Sequence, residues 1–172
     1  RCELAFCLYP LLVADLLDHP ALQAILPQQL ETLNHALSQQ GIGLSDHFYQ
    51  DGDDTAAALA ILHTAGYHVD PYVLNRFRGE GVYYAFSGEI QLSLSLTDRV
   101  VHALRLFGQR DEAAVNYLLD MQRANGRWQD DKWHISWLYN TLHLILAWAA
   151  EPSGHTAVQK AQTDLLQSQH PG

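Results

Sequence analysis

The chain has 172 residues, a formal net charge of −9 and only 17% charged residues. No Lys/Arg cluster supplies the basic face that a general nucleic-acid binder needs, so that class is excluded. The length fits one domain with a real core. The apolar run from Phe6 to Leu17 is too short to span a bilayer and is broken by Pro10 and Asp15, so the reading is a soluble, cytoplasmic protein with no transmembrane segment and at most a peripheral contact with a membrane.

In chain order, Pro10–Leu17 and Ala21–Ile25 read as short helical segments separated by His19-Pro20. Pro27 opens a longer helix through Leu30, Leu33 and Leu37, with Gly41 as its stop. A polar connection over 41–50 leads to a helix from Asp53 to Ala65, closed by Gly66. Asp70-Pro71 caps a short helix through Leu74 and Phe77. The Gly-punctuated, aromatic stretch Arg78–Glu89 reads as an ordered loop. Helices follow at Ser93–Leu106, Asp111–Ala124, Ile135–Ala150 and His155–Ser168, with apolar residues three to four apart. No stretch alternates as a strand would, so the expected fold is all-α, built of helical hairpins. A weak repeat relates Tyr117–Gly126 to Asp164–Gly172, each a helix end running into Gln and then Gly. Because the second copy stops at its Gly, the chain is expected to be a fragment of a longer protein. Cys2 and Cys7 have no second pair with which to build a zinc site and read as small buried residues in a reducing compartment.

The stretch Asp51-Gly52-Asp53-Asp54-Thr55-Ala56 crowds three carboxylates onto the start of an Ala-rich helix. One or two of them suffice for a helix cap with favourable dipole charges. A calcium loop does not fit, since the alternating ligands and distant Glu do not follow. The chemical reading rests on acidity. Protonating an alkene needs a strong acid that is nevertheless protonated at rest. Neighbouring carboxylates in a dry setting hold a proton, while a helix N-terminus stabilises the anion left behind. The cluster titrates as a unit, and charges are not assigned to its members from sequence.

These residues resemble the Asp-x-Asp-Asp-Thr-Ala signature of class II terpene cyclases. The likeness continues through Leu59–Val69, Phe77, Gly81 and Phe86-Ser87-Gly88, as in diterpene cyclases of the copalyl diphosphate synthase type. Gln122–Trp128 is similar to the Gln–Trp motif of squalene-hopene and diterpene cyclases, and Asp131–Thr141 to a Trp-rich stretch of bacterial members. The resemblance implies an α-α barrel domain of the kind called the β-domain, incomplete over residues 1–172, set against a second helical domain that lies outside this sequence. It implies an isomerase: Asp53 as the general acid, Asp51 and Asp54 holding its proton and sharing the charge, and a prenyl diphosphate, geranylgeranyl diphosphate foremost, as the substrate. Farnesyl diphosphate, squalene or a prenylated aromatic would use the same acid.

Relatives place an Asn against the acid from the helix at Ser93–Leu106. This chain has none there, so Ser95 or Thr97 is expected to support the acid instead. Tyr83, Tyr84 and Phe86 are candidate substrate-lining aromatics, since ring faces attract a carbocation without attacking it, though loop packing explains each equally well. Trp133, Tyr139 and His134 are placed by the resemblance near the cavity mouth, with His134 either a terminating base or a structural residue. Lys132 and Arg99 are candidate diphosphate contacts. Trp128 reads as structural. No metal ligand set is expected within the chain, so the Mg²⁺ that the resemblance implies would take its ligands mostly from outside it. Two other classes stay open: a non-catalytic helical scaffold with the acidic motif as a cap, and a glycan-active α-α barrel, which would need a second carboxylate across an open groove.

Overall fold

The computed structural model describes residues 1–45, 47–148 and 152–169. Seven helices carry the described fold: α1 (Cys2–Val13), α2 (Leu26–Ala36), α3 (Gly52–Thr64), α4 (Leu94–Leu106), α5 (Glu112–Asp120), α6 (Trp137–Trp148) and α7 (His155–Gln167). Short 3₁₀ turns occupy Pro20–Leu22, Pro71–Phe77 and Pro152–Gly154. Helices α1, α3, α4 and α6 pack side by side in that order. Helix α2 lies against α1 and α3, α5 against α4, and α7 against α6. The arrangement is two rows of helices, and the all-α expectation is met.

Helix α3 is the pivot. Every residue from Asp54 to Leu62 is buried, and the run of Ala56, Ala57, Ala58 and Ala60 lets its neighbours close in on all sides. Helix α4 is buried from Leu94 to Leu104, including Asp98 and Arg99. The Gln–Trp stretch ties the outer row to the inner. The Gln122 amide donates to the Ala157 carbonyl at 2.8 Å, the Trp128 indole N–H donates to the Leu118 carbonyl at 2.7 Å, and the Trp128 backbone N–H donates to Thr141 Oγ1 at 3.1 Å. Trp128 is thus a packing residue, as expected.

Several boundaries differ from the sequence reading. Helix α1 begins at Cys2 and runs through Pro10, which had looked like a helix start. A proline inside a helix costs about 3 kcal/mol. Burial of Ala5, Leu8 and Tyr9 opposes that cost with apolar side chains worth about 1.5–3 kcal/mol each when large. Cys7 is exposed and Cys2 half-buried, so the pair is not the buried one expected. Residues 41–51 hold a minimal antiparallel ladder, β1 (Ile42–Gly43) with β2 (Gln50–Asp51), in the register Ile42 to Asp51 and Gly43 to Gln50. Two-residue strands are too short to show alternation. Helix α5 ends at Asp120 instead of Ala124, and α6 starts at Trp137 instead of Ile135. The end of the predicted Ile135–Ala150 helix at 149–150, and His170–Gly172 of the second repeat copy, lie outside the described residues. Among the described residues no helix is long and apolar enough to cross a membrane.

Candidate active site

The ladder delivers the chain to α3 at the acidic motif. Thr55 Oγ1 donates to the Asp51 carbonyl at 2.5 Å and accepts from Ile42 N–H at 3.0 Å, pinning β1 to the first turn of the helix. Gly52 sits where any Cβ would meet the Tyr84 carbonyl oxygen at 2.9 Å, and its N–H donates to the Ala85 carbonyl at 2.8 Å. The glycine between the first two aspartates is therefore there for close approach. Asp51 caps the helix, its Oδ1 accepting from Asp54 N–H at 2.8 Å.

The three carboxylates are not equivalent. Asp51 and Asp54 are buried, whereas the Asp53 side chain keeps 22% of its surface open. Burial, with the charge of Asp54 next, pushes Asp51 up to about 8, against the pull of the Asp54 backbone N–H. Asp54 is raised chiefly by burial, and Asp53 adds to it. Burial therefore makes the charged form of each less favourable than in an exposed aspartate. Asp53 Oδ2 instead accepts from the Arg99 guanidinium at 2.8 Å. Arg99 is 3% exposed and has its other terminal nitrogen on the Tyr139 hydroxyl at 3.1 Å. Phe6 and Tyr9 of α1 stand with ring centroids 5.2 and 5.0 Å from its charge. Tyr139 stacks on His134 at 3.8 Å and lies 4.3 Å from the His143 ring.

Of the sequence candidates, the structure gathers Asp51, Asp53 and Asp54 at one end of α3, with Tyr139 and His134 joined to them through Arg99. It takes others elsewhere. Ser95 and Thr97 do not hydrogen-bond to Asp53. Ser95 Oγ donates to Asp131 at 3.0 Å, and Thr97 Oγ1 donates to the Ser93 carbonyl at 2.8 Å while accepting from Tyr83 N–H at 3.1 Å. Position sets this: both lie in the first turn of α4, and the residue that reaches Asp53, Arg99, is a turn further on. Tyr83 is buried with its hydroxyl on Asp111 at 2.8 Å, a carboxylate shared with Arg78, so it secures the loop to the start of α5. Tyr84 packs its ring over Gly79. Phe86 lines, with Tyr49 and Phe77, a cavity of about 330 Å³ that Asp53 does not line. Trp133 is 55% exposed and lies beside the Lys132 ammonium, which is itself paired with Glu89. Arg99 is occupied by Asp53 and Tyr139, so neither expected diphosphate contact is a free cation.

Sequence reasoning missed Phe6, Tyr9, His102 and His143 around Arg99, because α1 had been started too late and α4 read for its apolar stripe. The usable signal was a charged pair, Asp98-Arg99, inside a helix otherwise fit for burial. Asp98 is pushed up to about 8, first by burial and then by Asp53, while Arg99, Trp148 and Arg105 pull it back. Asp131 was missed as well. Its carboxylate accepts from Leu94 N–H at 2.7 Å, Ser95 N–H at 3.2 Å and Trp133 N–H at 3.0 Å, clasping the N-terminus of α4 to the 128–136 segment. Burial alone would raise this carboxyl, but those bonds hold it below the usual range. Among the described residues no group of three His, Cys, Asp or Glu side chains is placed to hold a metal.

No family model matches the chain. The (+)-kolavenyl diphosphate synthase of Herpetosiphon aurantiacus is 45% identical over 171 residues, 99% of this chain and 33% of that protein. The copalyl diphosphate synthase of Streptomyces anulatus is 29% identical over 171 residues, 91% of this chain and 31% of that one. The solved ent-copalyl diphosphate synthase from Streptomyces platensis superposes with a TM-score of 0.81 at 30% identity, covering 98% of this chain and 34% of its own. The chain spans about a third of the length of the curated relatives it matches.

Proposed function

We propose, for a chain that is class II terpene cyclase-like along nearly its whole length, that the protein carrying it cyclises a prenyl diphosphate by protonating an alkene, with Asp53 as the general acid. Geranylgeranyl diphosphate is the proposed substrate, because the relatives are named for copalyl and kolavenyl diphosphates. The reaction is an isomerisation whose product keeps its diphosphate. The observation that carries the assignment is the asymmetry of the cluster. Two carboxyls are buried, and the one left open is paired with a buried guanidinium.

The geometry gives each residue a task. Burial and neighbouring carboxylates disfavour charge on Asp51 and Asp54, so the first turn of α3 resists carrying three charges at once. Asp53, the accessible member, delivers the proton. Arg99 neutralises the carboxylate that forms, through a charge-assisted bond in a site where the charge is poorly hydrated. Phe6, Tyr9 and Tyr139 fix the guanidinium on that side. The Mg²⁺ expected by resemblance has no ligand set among the described residues. Asp131 is committed to α4, and Asp130 to Arg123, so no step runs through the ion here.

Incubating the full-length protein with geranylgeranyl diphosphate and Mg²⁺, then with phosphatase, should release a cyclic alcohol that mass spectrometry detects and that Asp53→Asn abolishes. Product only from farnesyl diphosphate, squalene or a prenylated aromatic would move the substrate and leave the acid in place. No product from any of them would favour a scaffold.

A further inference from the structure

The mechanism above leaves unused an ion pair that is joined to the acidic motif through a short run of backbone. The Lys132 side chain is 4% exposed and the Glu89 side chain 21%, and their charges are paired. The Lys132 ammonium also donates to the Gln91 carbonyl at 3.4 Å. A pair this poorly hydrated is a weak source of stability compared with apolar groups of the same shape. What distinguishes it is what Glu89 holds. Oε2 of Glu89 accepts from the Ala85 and Phe86 N–H groups at 3.0 and 3.4 Å. The Ala85 carbonyl accepts from Gly52 N–H at 2.8 Å, and the Tyr84 carbonyl lies too close to Gly52 for any Cβ. Residues 84–86 thus form a cover of backbone on the first turn of α3, between Asp51 and Asp53, and Asp51 is 6% exposed. Lys132 follows Asp131, which is fastened to the start of α4, so the cover is anchored to that helix.

We propose that Glu89 and Lys132 are positioning residues for the acidic motif, their ion pair clamping residues 84–86 onto the first turn of α3 and keeping water from Asp51, an inference that rests on the cyclisation reading above. Its consequence is the pH range in which the cluster works. Burial is the main cause that pushes Asp51 up to about 8, with the charge of Asp54 next. Water admitted under a loosened cover would let Asp51 fall towards its ordinary value, and the cluster would ionise at lower pH. The other groups facing Asp51 do not replace the cover. Asp53 and Asp54 of α3 disfavour its charge, Cys2 of α1 is a thiol pushed up to about 12, and β1 sets the apolar Ile42 opposite it.

The test uses the full-length protein as wild type, Glu89→Gln, Lys132→Met and the double variant. Glu89→Gln keeps an oxygen for the Ala85 and Phe86 N–H groups and removes the charge that Lys132 needs. Without substrate, hydrogen exchange at Gly52 N–H, read by mass spectrometry of peptides covering Asp51–Asp54, should quicken by at least about tenfold in both single variants. Unchanged exchange would overturn the clamp. With geranylgeranyl diphosphate and Mg²⁺, both should lose activity about one pH unit below wild type, each scaled to its own rate at low pH, with KM unchanged. The double variant should go no lower than the lower single, since the two residues act as one pair. Direct action of the charges on Asp51 would shift the two singles in opposite directions, up for Lys132→Met and down for Glu89→Gln, and that result would overturn the clamp. So would a raised KM in Lys132→Met with an unmoved pH profile, which marks a diphosphate contact. Asp53→Asn run alongside separates the two ideas. If that variant turns over, the cyclisation reading itself fails; if it is dead while Gly52 exchange is unchanged in the clamp variants, only the clamp fails.

Discussion

Replacing Arg99 with methionine isolates what the guanidinium does. Met fills a similar channel between Phe6, Tyr9 and Tyr139 but leaves Asp53 Oδ2 without the donor now at 2.8 Å. A hydrogen bond to a charged partner is worth about 1.5–3 kcal/mol, and the anion that needs it forms only as the proton leaves. At about 1.36 kcal/mol per decade, kcat for cyclisation should fall about 10- to 150-fold. KM should hardly change, because the arginine is engaged with the acid and with Tyr139, leaving no free donor for a diphosphate. Stability should fall as well, because losing one partner of a largely buried ion pair leaves the Asp53 carboxyl without its donor. The assay is a substrate series with phosphatase-released product read by mass spectrometry. An unchanged kcat with a raised KM would refute the reasoning and return Arg99 to the role of a diphosphate contact.

Other consequences follow from the same geometry. Asp131→Ala removes the acceptor for the Leu94, Ser95 and Trp133 N–H groups, and should destabilise the fold by about 2–4 kcal/mol, read as a lower midpoint in denaturant. Because the Asp131 carboxyl is held below its usual range, its contribution is present above the unfolded value near 3.8 and is lost as pH falls through the lower folded one. Asp98 has the opposite sign. Its folded value near 8 exceeds the usual 3.8, so stability falls as pH rises between them; Asp98→Asn should raise Tm at neutral pH and flatten that part of the profile. Activity should likewise decline as pH passes about 8, where Asp51 gives up its proton, and a rate still climbing through that range would contradict a protonated cluster.

What was legible in the sequence was local. The acidic motif, Gly66 and the Asp70-Pro71 cap lie within a few residues of the structure they determine, and helix periodicity located most helices, whereas α2 ends at Ala36, short of Leu37 and of the Gly41 read as its stop. What was not legible depends on distant partners. Pro10 reads as a helix start until Ala5, Leu8 and Tyr9 are seen buried against the core. Ser95 and Thr97 looked suited to hold the acid. In three dimensions, Asp131, more than thirty residues downstream, takes Ser95, and the Ser93 carbonyl takes Thr97, and Arg99 is the residue of α4 that meets Asp53. Tyr83 carries a hydroxyl that finds Asp111 before it finds a substrate. Tyr139, read as a substrate-lining residue, stands instead as a hydrogen-bond partner of Arg99, a contact forty residues apart in sequence.

The most direct test of the central claim is the product from geranylgeranyl diphosphate made by full-length wild type and by Asp53→Asn side by side. The substitution keeps the size and the place beside Arg99 and removes the proton. The account predicts a cyclic alcohol after phosphatase treatment from wild type and none from the variant. Equal product from both would mean that the open carboxyl of α3 is not the acid.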